Sequence, residues 1–476
     1  MLCRSCFVTS AVALLSLSVL AHNPGSIPTQ TIPQDPNDWP MYNHDVLGTR
    51  SNPAEATLTR ESAKHLKIEW VFPTNADVYA TPSVVNGCVY AGDTSGTFYA
   101  LTSSGILRWR TTGFGPITAS ALITDGPNET DGMVIFGDQT GFIYGLERKS
   151  GQVVWSVRPN PNSDAVIFGS PILVKGQVVV GISSNEGSAE TTFRGSIVSL
   201  DPNNNGRINW QTYLIKRREQ KNGSSGAGMW SSPTYDPTTD TVYVTTGNNY
   251  TAPATATSDA FVALSGRNGK IKWTHQLVSN DTGTVEKDFG DSPQIYTLAD
   301  GEKVVGAGEK NGVYWVLDAA SGELVGSIQA VPDCAHSEGL FADSAISNGV
   351  VFVNGIDCSI PANPPLIPPT GVVIALKNEI EPSGKLEMEK LWRFTSPLAP
   401  VLSGVAVANG VVYFHTSGVP SVLYALDAAT GQVLAAVSTN GGISGPSVSN
   451  GQIYVGTGTK FASGFATPTG IVAIGM

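Results

Sequence analysis

YALTSSGILRW (Tyr99–Trp109) reads as an apolar strand, a polar turn containing glycine, and a short second strand that ends in tryptophan. The same pattern returns as YGLERKSGQVVW (Tyr144–Trp155), VSLDPNNNGRINW (Val198–Trp210) and VALSGRNGKIKW (Val262–Trp273). It recurs without the final tryptophan in WVLDAASGELVG (Trp315–Gly326) and YALDAATGQVLA (Tyr424–Ala435), and in stretched form in IALKNEIEPSGKLEMEKLW (Ile374–Trp392). The eighth copy is split: GIVAIG (Gly470–Gly475) supplies the strand and LKIEW (Leu66–Trp70), near the start, the tryptophan half. Tryptophan spacings of 39, 46, 55 and 63 from Trp70 to Trp273 suit a four-stranded unit with growing insertions.

A second set of eight segments interleaves with the first, among them TPSVVNGCVYAG (81–92), SPILVKGQVVVG (170–181) and GPSVSNGQIYVGTG (445–458). Each is a pair of short alternating runs, most about an N-G or D-G type turn, a strong hairpin signal. A four-stranded sheet cannot bury both faces alone, whereas eight set radially can. The expectation is therefore all-β: an eight-bladed β-propeller spanning 66–476, its ring closed by pairing N- and C-terminal strands, with 22–65 packed on it as an extension. Composition agrees. Charged residues are only 14%, with 52 Gly and 30 Pro, which disfavours long surface helices. A net charge of −11 argues against a nucleic-acid partner.

Residues 1–21 read as a secretory signal: Arg4 precedes the apolar run Phe7–Leu20, and Val19 and Ala21 stand at the −3 and −1 positions. No later run is long enough to span a membrane, so the expected location is extracellular or periplasmic. Cys3 and Cys6 leave with the signal. Cys334 and Cys358 could then pair as a disulfide, with Cys88 a buried free thiol. Asn128, Asn222 and Asn280 are candidate glycosylation sites; the fourth sequon, at Asn249, is expected to be unused. The basic run Lys216–Arg218 reads as a solvated loop tip.

In such a propeller the residues just ahead of each inner hairpin gather at the axis. Three places before the hairpin proline stand Tyr79, Phe168, Trp230 and Gly290, an aromatic floor for a flat ligand. Glu186, Asn248, Asp288 and Lys310 are the scarce polar groups near blade starts, and two carboxylates with an amide oxygen suit a calcium ion. Zinc-type histidine spacings, a G-x-S-x-G elbow and a strand-to-helix G-x-G-x-x-G are absent from the sequence.

From DWPMYNHDVLGTRSNP (38–53) to the closing hairpin, the chain resembles the pyrroloquinoline quinone-dependent alcohol dehydrogenases, polyvinyl alcohol dehydrogenase-like proteins above all. The resemblance implies that Trp230 lies under the quinone, that Phe168, Arg194 and Lys310 contact it, and that Glu186 (Glu190 in another register), Asn248 and Asp288 ligate calcium. Asp288 would be the catalytic base. The substrate would be a small-molecule or polymeric alcohol. Electrons would pass to an external acceptor such as a cytochrome c, because the mature chain carries no C-x-x-C-H. The chain departs from the pattern at Phe168, where relatives offer Thr, and at GLFAD (339–343), which lacks Trp-Gly; the adjacent-cysteine cap is missing too. A cofactor-free binding or assembly propeller and a repurposed oxidoreductase stand as alternatives.

Overall fold

The computed structural model describes residues 30–126, 132–185, 190–283, 287–333, 339–359, 370–381, 386–397, 399–418, 421–458 and 467–476. Eight sheets built on four antiparallel strands follow one another along the chain; Ala165–Val166 adds a fifth strand to the third, Ser51–Asn52 joins the seventh in parallel, and Ser225–Gly226 pairs with Asn249–Thr251 as a separate two-stranded sheet. The first has its strands at Ser83–Val85, Cys88–Gly92, Thr97–Thr102 and Leu107–Thr112, in that order from inside to outside. The eighth is completed across the chain: Lys67–Pro73 pairs antiparallel with Gly470–Gly475. This is the ring closure that the split eighth repeat requires. The basic run at 216–218 starts a short helix, Arg217–Lys221, not a loop tip, with Glu219 accepting from the Lys216 backbone N–H.

The repeating tryptophan explains why the blades stay in register. Trp70, Trp109, Trp155, Trp210, Trp273 and Trp392 each donate the indole N–H to a backbone carbonyl in the turn of the following blade, at 2.8 to 3.3 Å. Opposite each ring stands a glycine of that same turn. At Gly151, φ is +72° and an added Cβ would lie 2.3 Å from Trp109, so only glycine admits the indole. Where the repeat has lost its tryptophan at Gly326, Leu386 of the sixth blade fills the space. Apolar burial is accordingly spread in wedges between neighbouring blades, not gathered in one centre.

Residues 39–52 run round the axis against the innermost strands. Trp39 exchanges hydrogen bonds with Val84, and the carbonyls of Pro40, Val46, Leu47, Thr49 and Arg50 accept from Ile123, Tyr235, Ile295, Ile346 and Val407, which occupy equivalent positions in blades 2, 4, 5, 6 and 7. Asn52 reaches the eighth blade through its side chain, donating to the Val448 carbonyl at 2.9 Å. The inner edges would otherwise be unpaired strand edges. The extension covers them and closes one end of the central channel, with Tyr42 on the resulting floor.

Candidate functional site

A well of about 890 Å³ opens along the axis. One register position, four residues ahead of each innermost strand, supplies its inner ring: Tyr79, Thr118, Phe168, Trp230, Gly290, Phe341, Leu402 and Ile443 all line it. Glycine in the fifth blade is dictated by space. An added Cβ at 290 would come within 2.2 Å of the Trp230 ring and 2.3 Å of the Phe341 carbonyl. The Trp230 ring edge therefore lies against the backbone of the fifth blade, beside the charged groups.

Asp288 precedes the strand Gln294–Thr297 and Lys310 follows Lys303–Gly308, so both project from the same end of the blade. Lys310 Nζ meets Asp288 Oδ1 at 2.7 Å, and Trp230 donates its indole N–H to Asp288 Oδ2 at 2.9 Å. The ammonium lies 5.1 Å from the Trp230 ring centroid. Asn248 follows the strand Thr241–Thr245 and gives its amide N–H to the Asn249 carbonyl at 3.1 Å, which leaves the amide oxygen as its ligating atom. Trp230, Asn248, Asp288 and Lys310 thus line one cavity. Tyr250 and Ser184, joined by a 3.0 Å hydroxyl bond, form a wall beside them, and Tyr42 donates to Asp343 Oδ2 at 2.5 Å on the floor. Sequence reasoning missed Tyr42, Ser184, Tyr250, Phe341 and Asp343.

Two more buried carboxyls feel the charge of Asp288 without lining the well. Asp259 is fully buried and its backbone N–H donates to Gly247 at 3.2 Å. Burial, followed by the charges of Asp288, Asp281 and Glu309, raises its pKa to about 9. Glu309 is pushed up by burial as well, although Trp315 donates to its Oε2 at 2.8 Å. A carboxyl that holds its proton in the folded state loses stability as pH climbs from the ordinary carboxyl range toward about 9, because only the unfolded chain releases the proton freely. Asp259→Asn should therefore raise the melting temperature, with a gain that is small at pH 5 and grows steadily to pH 9. A pH-independent difference would refute the assignment.

The remaining sequence expectations divide. Glu186, Cys334 and Asn128, like the signal segment, lie outside the described residues. Cys358 is disulfide-bonded and Cys88 is a free, buried thiol. Asn222 and Asn280 are exposed; Asn249 is buried, with its side chain bonded to Ser225 and Thr255, as an unused sequon requires. Arg194 is a correction. Its guanidinium stacks 4.0 Å above Tyr213 and donates to the Ile215 carbonyl at 3.0 Å, which draws it outward, and it does not line the well. Among the described residues no three His, Cys, Asp or Glu side chains are close enough to hold a metal ion. None of the described helices is long and apolar enough to cross a membrane.

Comparison with known proteins bears on this geometry. Residues 159–337 match the β-propeller domain of glucose/ethanol/alcohol dehydrogenases, and 372–473 match the outer membrane protein assembly factor BamB. A polyvinylalcohol dehydrogenase of a Pseudomonas species is 28% identical over 61% of this chain and 50% of its own length. The dehydrogenase subunit of the Gluconobacter oxydans quinone alcohol dehydrogenase is 28% identical over 61% and 44%. The propeller resembles those of the quinoprotein alcohol dehydrogenases. The chain spans about half the length of these two relatives. The quinohemoprotein alcohol dehydrogenase of Comamonas testosteroni shares the propeller fold, with a TM-score of 0.70, 20% identity, and coverage of 92% of this chain and 80% of the other.

The well fits a flat, polyanionic quinone. Glycine at 290 admits the edge of the Trp230 indole, which lines the well, and an added Cβ at Gly247 would stand 3.0 Å from Asp288 Oδ2. Lys310 supplies a cation within it. For a hard cation, Asp288 Oδ1 is buried, with the Lys310 ammonium as its one partner among the described residues, and the Asn248 oxygen shares the cavity.

Proposed function

We propose that the chain is a pyrroloquinoline quinone-dependent dehydrogenase that oxidises an alcohol to its carbonyl compound and passes the electrons to an external acceptor such as a cytochrome c. The observation that carries this reading is the convergence of Trp230, Asn248, Asp288 and Lys310 on one axial well. When bound, the quinone supplies the acceptor for hydride and calcium a Lewis acid. The protein supplies position and charge. Trp230 holds Asp288 Oδ2, so Oδ1 is the atom that takes the alcohol proton as general base. Lys310 balances negative charge around that carboxylate and around the quinone oxygens. The indole of Trp230 would lie against the bound quinone and exclude water there. Asn248, Asp288 and Glu186 would hold the calcium ion, and secretion would place the enzyme outside the cytoplasm.

The test is reconstitution. Purified cofactor-free protein should take up one pyrroloquinoline quinone in the presence of calcium, and then reduce a dye with primary or secondary alcohols. Absence of both uptake and turnover would end the dehydrogenase reading. The match of residues 372–473 to an assembly factor favours one rival, a cofactor-free binding propeller. That rival predicts no quinone uptake at all.

A further inference from the structure

The well has two unlike halves. Asp288 and Lys310 come from blade 5, and Trp230 and Asn248 from blade 4. In an eight-fold ring, blades 8 and 1 stand opposite blades 4 and 5. The lining residues of blades 7, 8, 1 and 2 include no charged group: Leu402, Ile443, Tyr79, Pro116, Thr118 and Gln139. Phe341 of blade 6 and Phe168 of blade 3 flank this arc, and Phe168 is 37% exposed, unusual for a phenylalanine on a concave wall.

Two of the arc's polar donors are already engaged, one by the neighbouring Asp77 carboxylate and one within the arc. Tyr79 donates its hydroxyl to Asp77 Oδ2 at 2.7 Å, and Gln139 donates to Thr118 Oγ1 at 2.7 Å. A ligand hydroxyl entering here would shed water and compete for partners already engaged, which is unfavourable. An apolar body would find aromatic and aliphatic surface without that cost. The size also suits two occupants: about 890 Å³ lies near the upper end of the roughly 300–1,000 Å³ of ligand pockets, room for a group beside a tricyclic cofactor.

We infer that the Tyr79–Phe168–Phe341–Leu402–Ile443 arc receives the body of the substrate, and that the substrate is an alcohol carrying one bulky aryl or alicyclic group, not a polyol chain. This rests on the alcohol dehydrogenase reading and names its substrate class. Binding can nevertheless be measured without catalysis. Titration calorimetry on the cofactor-free protein should give 1-cyclohexylethanol at least ten-fold tighter binding than 2,4-pentanediol, a short segment of a vinyl alcohol chain. The same order should appear in kcat/KM after reconstitution. Leu402→Ser combined with Ile443→Ser should bring the two affinities within about two-fold, with the circular dichroism of the folded protein retained. Equal or tighter binding of the diol by the unaltered protein would overturn the inference, whatever the variant does. Quinone uptake with diol turnover, alongside that result, would leave the dehydrogenase reading standing. Failure of quinone uptake would remove that reading while the calorimetric preference is judged by itself.

Discussion

Asp288→Asn in the reconstituted protein should retain quinone affinity within a few-fold and lose turnover by a factor of about 10²–10⁴, the range for removal of a general base. The asparagine amide can still meet the Trp230 indole N–H that now reaches Asp288 Oδ2 at 2.9 Å, so the indole keeps its orientation. What disappears is a basic oxygen at Oδ1 and the counter-charge of Lys310, 2.7 Å away. The ammonium then remains inside a largely buried wall without its carboxylate. Its own attraction for an anionic cofactor should rise, which is why binding is expected to survive. Loss of affinity in step with turnover would instead make Asp288 a binding residue alone. Unchanged turnover would remove it from the chemistry.

The ring was legible because its signal repeats. A tryptophan, a positive-φ glycine and a two-strand hairpin recur eight times with small losses, and each copy restates the same contact between neighbours. The well was half legible. Keying on the hairpin proline finds Tyr79, Phe168, Trp230 and Gly290, but the equivalent positions Thr118, Phe341 and Leu402 precede Ala121, Ser344 and Val405, where the proline has drifted away. Aligning all eight hairpins by register would have found these, whereas Ile443 stands three places before Pro446 and the proline key reaches it as well. Tyr42 carries no such signal, because its place depends on the path of an irregular segment that has no repeat to compare with. Arg194 shows the opposite error: a charged residue near the right segment is captured by Tyr213 and the Ile215 carbonyl, a choice that spacing along the chain cannot reveal.

Arg50 is the residue on which the closed end of the channel depends, and Arg50→Met should destabilise the protein by about 3–5 kcal/mol, the cost of orphaning buried polar partners. Its guanidinium is fully buried and donates to three carbonyls: Val405 at 2.6 Å and Pro446 at 3.2 Å from distant parts of the chain, and Tyr42 at 2.6 Å from the extension itself. The planar fork fits because blades 7 and 8 carry glycine at the equivalent ring positions; a Cβ added at Gly404 or Gly445 would lie 3.0 Å from Cζ or 2.6 Å from Nη2. The Tyr42 ring stacks 4.6 Å from the same group. Methionine has similar length and no donors, so all three carbonyls would be left without this partner in a space water cannot easily enter. Lysine, a point charge, cannot serve three acceptors set in a plane, and Arg50→Lys should recover only part of the loss. Because Tyr42 floors the well, the effect should reach the site: ligand affinity should fall together with the denaturation midpoint. Arg50→Met with the midpoint of the unaltered protein would mean that the extension merely lies on the propeller and does not lock it.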